Sequence, residues 1–411
     1  MIKIGITGQT GFVGTHLFNA LGLQSEKYER IPFEDNFFLD EIKLKDFVKS
    51  CTVIVHLAAM NRHNDPEVLY QTNIGLVRQL ILACEETDST PHILFSSSTQ
   101  EEHDNHYGKS KKVGREMFEK WANKNNSQFT GFIIPNVFGP FGNAYYNSVV
   151  ATFCYQLTHN ENPKIDVDGE IKLIYVGELV KEFIKRIELC SFSKFIGLVK
   201  QSDTLSEIEI INRNNNETKT QYNSLDDNSK KCETLFIPHS SEIKVSVLLK
   251  KLTEYKENYF EKGEIPSLNN RFNRDLFNTF LCYIDHTSFF PFKLKLITDH
   301  RGSFVETAKL SSGGQVSFST TAPGVTRGNH FHTRKAERFT VIKGKARIEL
   351  RRIGTDKILS FELDGNEPSF VDMPVWYTHN ITNTGKEELY TIFWCNEHFD
   401  SSDPDTWFEK V

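Results

Sequence analysis

The chain has 411 residues, enough for two or three domains. Hydrophobic residues make up 38% and include 33 phenylalanines, which excludes wholesale disorder. A formal net charge of −6 gives no electrostatic case for nucleic acid or an anionic membrane as a partner. No apolar run reaches the ~18–20 residues that cross a bilayer, and the first residues run straight into a strand-and-turn pattern without a signal-peptide layout. The seven cysteines (Cys51, Cys84, Cys154, Cys190, Cys232, Cys282 and Cys395) are scattered and never form a C-x-x-C pair. Such usage is expected of reduced thiols in a cytoplasmic protein. In chain order, Ile2–Thr7, Val53–Leu57 and His92–Ser96 are β-rich, and Gly11–Leu23, Thr72–Glu86 and Lys109–Asn123 between them carry helical spacing. That alternation predicts a Rossmann-like, doubly wound parallel sheet covered on both faces.

After Cys190 the pattern weakens, and residues 212–231 are Asn-rich and polar, as expected of an exposed or locally disordered insertion. Leu235–Ile237 and Val245–Tyr259 read as a strand and a helix that complete a first domain over residues 1–260. A connector follows over 261–290, with Pro266 and a cluster of aromatics. From 291 to 411 the texture changes to short β-rich segments, among them Gly314–Ser319, Arg338–Ile342, Lys345–Arg351, Pro368–Val371 and Glu388–Trp394. Even spacing with Gly- and Asp-containing turns predicts an antiparallel sandwich or small barrel.

Gly8-Gln-Thr-Gly11-Phe12-Val13-Gly14 follows the first strand and opens a helix. Here the first glycine allows a tight turn, the second lets the backbone approach a pyrophosphate, and the third lets helix and strand pack closely. A plain capping turn would look similar, but other features accompany it. His56-Leu57-Ala58-Ala59 ends one strand, Asn73 lies on the next helix, and Ser96-Ser97-Ser98 ends another strand. Tyr107 and Lys111 then stand at i, i+4 on one helix face. A phenol of pKa ~10 is a poor proton donor at neutral pH unless a cation lies beside it. A serine hydroxyl next to it can hold a carbonyl while the phenol protonates the developing alkoxide. The bland alternative is a solvated Tyr and Lys on a surface helix, which the glycine turn disfavours. Glu29, Glu34 and Asp35 are candidates for the acid that meets a ribose 2′-hydroxyl. Arg30, at the end of the second strand, suits a 2′-phosphate instead, so NADPH is expected over NADH.

On these motifs the first part of the chain, to about residue 190, resembles an extended short-chain dehydrogenase/reductase. The resemblance puts Ser98, Tyr107 and Lys111 on the family's catalytic positions. It puts Gly8, Gly11, Phe12, Val13, Gly14, Leu57, Ala58, Ala59 and Asn73 around the cofactor, with Asp40 near its adenine. Asn136-Val-Phe-Gly-Pro140 matches the family's substrate-side Asn-x-x-Gly-Pro element, with Asn147 following, although Ile133 stands where that element usually carries an arginine.

In the second half, Gly324, His330, His332, Glu337 and Gly344 form one spaced string, and His379 follows in Pro374-Val-Trp-Tyr-Thr-His379. Residues two apart on a strand share a face, so His330 and His332 point the same way. Three imidazoles and a carboxylate suit one divalent metal, zinc above all, and also nickel, iron or manganese. A solvated His-x-His pair is the bland alternative. This half resembles a cupin: the first cupin motif is complete, while the second carries Trp376 where glycine is usual, a residue expected to narrow or line the pocket. Cupin barrels pack against one another, so the resemblance implies a homodimer. Asp299-His-Arg301-Gly302 and Arg327-Gly-Asn-His330 also resemble the deoxysugar-nucleotide epimerases among the cupins, which implies that Arg301 and Arg327 contact substrate. In those epimerases the histidine of Arg-Gly-x-His is a base; here His330 is expected as a ligand, leaving Tyr377, His300, Asp299 and Lys343 as acid or base candidates.

Along essentially its whole length the chain resembles the bifunctional capsular-polysaccharide enzymes of the CapF/WbjC kind. The strings Tyr146–Cys154, Trp394–Asp400 and Pro404-Asp-Thr add to that resemblance. It implies a UDP-linked 2-acetamido-4-keto-6-deoxyhexose as substrate, inverted at C3 by the cupin and reduced at C4 by the reductase. Two other readings are a 4-keto sugar reductase with a merely structural cupin, and an NADP-binding regulator with a cupin sensor. The complete Ser98/Tyr107/Lys111 set disfavours the sensor, because binding alone does not need it.

Overall fold

The computed structural model describes residues 1–201, 231–294, 297–299, 302–304, 308, 314–397 and 400–411. All of the polar insertion except Lys231 lies outside the described residues, as do His300 and Arg301. Two compact units are present: Met1–Pro135 with Val176–Pro238, and Asn136–Tyr175 with His239–Val411. Residues 239–290, read above as the end of the first domain and a connector, are thus counted with the barrel.

The first unit is built on β1 (Ile2–Thr7), β2 (Tyr28–Ile31), β3 (Val53–His56), β4 (His92–Ser98), β5 (Phe129–Ile134) and, beyond the small sheet described next, β8 (Cys232–Phe236). They pair in the order β2-β1-β3-β4-β5-β8, all parallel. β3 and β5 are buried at every position, which is why they read as unbroken apolar runs: both faces are covered. The coverings are α1 (Phe12–Gly22), α2 (Glu41–Ser50), α3 (Pro66–Glu86), α4 (His106–Lys124) and α6 (Val176–Gln201). Phe33, Phe47, Phe95, Phe118 and Phe129 share one core here with Val77, Leu80 and Trp121. Because β2 and β3 flank β1 on opposite sides, the chain order reverses at β1/β3. In such sheets ligands bind outside the carboxyl ends of the strands at that point.

The second unit carries a small sheet of β6 (Asn136–Phe138), β7 (Glu170–Tyr175) and β9 (Ser241–Lys244), with α5 (Val149–Thr158), α7 (Val245–Tyr255), α8 (Arg271–Leu281) and the short α9 (His286–Phe289). α7 runs on into a π-helical turn over Lys256–Phe260. The predicted connector is therefore largely a packed helical arm, with Leu276, Phe277, Phe280 and Leu281 buried. It ends in an antiparallel β-barrel built from two five-stranded sheets. One is β10 (Phe292–Lys293), β18 (Ser369–Met373), β15 (Glu337–Lys343), β20 (Leu389–Cys395) and β13 (Gln315–Thr321). The other is β17 (Ile358–Asp364), β16 (Lys345–Arg352), β19 (Tyr377–Asn383), β14 (Thr326–Phe331) and β21 (Trp407–Phe408). A separate hairpin joins β11 (Ile297–Asp299) to β12 (Gly302–Phe304). Val341, Ile348, Phe361, Phe370, Val371, Ile381 and Leu389 fill the core between the sheets.

Arg338 is buried in this unit, where its guanidinium donates to both carboxylate oxygens of Asp372 (2.8 and 3.1 Å) and to the Gly263 carbonyl (2.8 Å). It also lies 3.7 Å over the Phe370 ring, and Tyr259 donates to the same carboxylate. The full set of partners makes the burial of this pair tolerable, and ties the helical arm to the barrel.

Candidate active site and metal centre

β1 delivers the chain into a turn in which Gly8 has φ +72° and a Cβ would stand 2.9 Å from the Ala58 nitrogen. A Cβ on Gly14 would stand 2.1 Å from the Gly8 carbonyl, so helix and strand can close up only without one. Gly11 caps α1 without a side chain. The first-turn N–H groups are therefore directed at a cradle that suits a pyrophosphate. Leu57 and Ala58 donate to the Thr7 carbonyl and hydroxyl at 3.1 and 3.4 Å, which places the Leu57–Ala59 segment at the β1/β3 reversal. Asn73 pins that segment through Met60, accepting from its N–H (2.7 Å) and donating to its carbonyl (3.0 Å). It also donates to the Ser110 hydroxyl of α4 (3.0 Å). Phe12 and Val13 are half-buried in the first turn.

Two residues expected near the cofactor are engaged elsewhere. Arg30 donates to the Phe18 carbonyl (3.1 Å) and lies 4.3 Å over the Phe18 ring, against Gly22. That is ~10–16 Å along α1 from the glycine turn at 1.5 Å per residue. Asp40 is the N-cap of α2, accepting from the Lys43 N–H at 3.1 Å.

Tyr107 and Lys111 lie on one face of α4. Ser98 ends β4 and its hydroxyl accepts from the Gln100 N–H (3.2 Å). Asn105 caps α4 by accepting from Gly108 (2.7 Å), which sets the phase of Tyr107 and Lys111. Lys111 is 4% exposed; its ammonium donates to the Ser96 carbonyl (2.9 Å) and lies 5.8 Å from the centre of the Tyr107 ring. Burial lowers its pKa to about 8, with Glu101 pulling the other way, so it is mostly cationic at neutral pH. His56, behind it, is held neutral: burial first, and then the Lys111 charge, push its pKa down to about 3. Lys111 is thus a desolvated cation beside a phenol.

Asn136 and Asn147 belong to the second unit. Asn136 donates to the Lys172 carbonyl (3.3 Å), and Asn147 is exposed just before Ser148, the cap of α5. Ile133, in the usual arginine position, is buried in β5. Arg327 is exposed, donating to the Thr320 carbonyl (2.9 Å).

In the barrel the four expected donors converge. His330 faces His379 across the β14–β19 pairing, at a bulge where Gly328 and Asn329 have positive φ. Glu337 enters from β15 of the other sheet. Ligand atoms of His330, His332, Glu337 and His379 all lie within 4.8 Å of one another. Nε2 of His332 and of His379 stand 3.3 and 3.2 Å from one Glu337 oxygen. All three atoms are buried without a properly formed hydrogen bond. Buried polar atoms are rarely left so, and a tetrahedral N/O site for a divalent ion accounts for all of them together. The donor set fits a metal. Trp376 does not line this pocket: its ring stacks on Phe331 at 5.6 Å, and Phe331 alternates with His330 and His332, so the indole lies behind the strand. Its φ of +63° shows why glycine is usual there. Of the acid–base candidates, Tyr377 shares the His379 face of β19 with its phenol pushed up by burial, and Lys343 is exposed near Glu387 (3.6 Å).

Residues 4–190 match the NAD dependent epimerase/dehydratase family, and residues 297–407 the polysaccharide biosynthesis C-terminal domain. A UDP-2-acetamido-2,6-beta-L-arabino-hexul-4-ose reductase from Pseudomonas aeruginosa is 30% identical over 407 residues, covering 99% of this chain and 98% of that protein. The crystal structure of the capsular polysaccharide assembling protein CapF from Staphylococcus aureus is 30% identical and aligns over 100% of both chains with a TM-score of 0.57. The chain belongs to this CapF family of capsular-polysaccharide enzymes. A CapF structure with the inhibitor 3-isopropenyl-tropolone aligns at 28% identity and a TM-score of 0.54. Among the described residues of this CapF-family chain, no helix is long and apolar enough to cross a membrane.

The motifs did not disclose Glu101 or Arg115. Glu101 accepts from Ser97 and takes a two-pronged bond from Arg115 of α4 (Nε 3.0 Å, Nη2 2.8 Å), with side chains only 8% and 16% exposed. The pair clamps the Ser98 turn to the helix bearing Tyr107. Its 14-residue separation matches no local spacing rule, so only the fold reveals it. Glu101→Gln should cost roughly 1–3 kcal/mol, the range for weakening a charged, largely buried hydrogen bond, because Arg115 keeps the more distant Glu119 carboxylate at 3.8 Å. Denaturant titration of the full chain checks this, with an unchanged midpoint as the contrary result.

Proposed function

We propose that this enzyme epimerises a UDP-2-acetamido-4-keto-6-deoxyhexose at C3 in the barrel and then reduces C4 on the dinucleotide-binding unit. The product would be UDP-N-acetyl-6-deoxy-talosamine, a precursor for capsular or O-antigen polysaccharide. The observation that carries this reading is that one chain holds both a glycine turn after β1 with Tyr107 and Lys111 on one face of α4, and a four-donor cluster in a barrel. The 4-keto sugar in the name of the Pseudomonas relative supports the substrate class.

A nicotinamide dinucleotide held at Gly8, Gly11 and Gly14 would supply the hydride for C4. The residues do the rest. Ser98 holds the ketone oxygen, Tyr107 gives it a proton as the alkoxide forms, and Lys111 stabilises the phenolate left behind. The order of steps follows from acidity: the C3 proton is labile only while C4 is a ketone, so reduction must come second and draws the epimerisation forward. A divalent ion, zinc in this proposal, held by His330, His332, Glu337 and His379 would supply a Lewis acid beside the sugar and a staple across both sheets. A second reading, a reductase with a purely structural barrel, is favoured by His330 itself, which joins the donor cluster and so is not a free base.

NADPH over NADH requires that Arg30 leave Phe18 to meet a 2′-phosphate. Turnover of the 4-keto UDP-sugar with each cofactor, in wild type and Arg30→Ala, tests reaction and preference together. Wild type should reduce the sugar faster with NADPH, and the variant should lose that preference. No turnover with either cofactor contradicts the reductase assignment, and a wild type that prefers NADH contradicts the NADPH assignment.

A further inference from the structure

His332 presents Nε2 to the donor cluster, and its other nitrogen, Nδ1, lies 2.5 Å from the backbone carbonyl of Asp405. A carbonyl only accepts, so Nδ1 must carry the hydrogen, and in the neutral ring Nε2 keeps its lone pair toward the donor cluster. This tautomer is the one a ligand needs. The carbonyl is itself held in an unusual place. Asp405 has φ +42°, is 5% exposed, and lies 73 residues beyond His332 in the chain. Its carboxylate accepts from the Thr333 N–H (3.1 Å), the Thr333 hydroxyl (2.6 Å), the Arg334 N–H (2.9 Å) and the Trp407 indole (3.2 Å). The neighbours of Asp405 continue the attachment. The Lys335 ammonium donates to the Pro404 carbonyl (2.5 Å), and Arg334 pairs with Asp403 (2.9 Å). β21 pairs with β14 at His330 and Phe331. Glu409 donates its N–H to the Asn329 carbonyl (2.9 Å) and accepts from the Thr378 hydroxyl. Segment 403–409 therefore touches the residues beside three of the four donors.

We infer that residues 403–409 form a clasp in which Asp405 positions His332 for the metal, its carboxylate fixing the backbone so that its carbonyl sets the imidazole tautomer. Asp405 is a positioning residue, and the inference rests on the reading of the four donors as a metal centre. Groups that orient a ligating histidine typically carry ~10–100-fold in metal affinity.

The test is zinc affinity by chelator competition on the full chain, read together with the ring ¹⁵N shifts of His332 in the zinc-free protein. Asp405→Ala should weaken zinc ~10–100-fold and convert His332 from the Nδ1–H form to a tautomer mixture. Asp405→Asn keeps an acceptor and tolerates positive φ, so it should recover most of both. If Asp405→Ala does not fold, Thr333→Val, which removes only the hydroxyl donor, should give a smaller loss in the same direction. Wild-type affinity in Asp405→Ala, or in Thr333→Val when that variant stands in for it, overturns the clasp, as does an unchanged His332 tautomer. A wild-type protein that binds no zinc overturns the metal centre itself, a result distinct from any of these.

Discussion

Tyr107→Phe should lower hydride transfer to the 4-keto sugar ~10²–10⁴-fold, the usual worth of a general acid, while the dissociation constant for the dinucleotide barely moves. The two effects separate because the pyrophosphate cradle is made of backbone at Gly8–Gly14, whereas the proposal gives the phenol the proton transfer to the reacting oxygen. Lys111 would remain buried on the Ser96 carbonyl, so the pocket keeps its shape and loses one proton donor. Single-turnover kinetics with a separate cofactor titration check both halves. Near-wild-type oxidation of the reduced cofactor by substrate in this variant contradicts the assignment of Tyr107.

His379→Ala should empty the metal centre and lower the first thermal transition of the second unit. The imidazole is one of four donors drawn from both sheets, and its loss leaves Glu337 facing His332 with an incomplete set. The affinity loss should exceed the ~10–100-fold of a residue that only orients a ligand. Chelation of the wild type should reproduce the thermal shift, because metal binding free energy adds to folding free energy. Elemental analysis and calorimetry measure the two effects. Protein purified without chelator that contains no metal, or a variant that retains it, contradicts the account.

The glycine turn, the Tyr107/Lys111 pair and the His330/His332 pair were legible because each depends on short spacings that a strand or helix converts directly into a shared face, whereas Glu337 and His379 come from other strands and were read through the cupin resemblance. The strands of the first sheet were legible because burial on both faces leaves unbroken apolar runs. Long-range partners were not. Nothing in local spacing links Glu101 to Arg115, Arg338 to Asp372 or His332 to Asp405; tertiary packing makes those pairs. Arg30 was expected at a 2′-phosphate from its place at a strand end, but its side chain folds back on α1, where the Phe18 ring and carbonyl offer it contacts. The helix over Arg271–Leu281 was hidden by Pro266 and a run of aromatics that resembled a linker. Trp376 shows a related limit: the motif marks the position, while the positive φ that turns the ring behind β14 is a property of the backbone.

Deuterium at C3 tests the two-step chemistry most directly. Given the 4-keto UDP-sugar in D₂O without reduced nicotinamide, the enzyme should exchange solvent deuterium into C3, since forming an enolate needs no hydride. The exchange should persist in Tyr107→Phe, since the proposal gives that phenol a part only in the reduction at C4. With NADPH added to the wild type, NMR of the product should show deuterium at C3 together with the inverted configuration there. A product that keeps its original C3 proton and configuration through full turnover in D₂O would contradict the epimerase step and leave a reductase with a structural barrel.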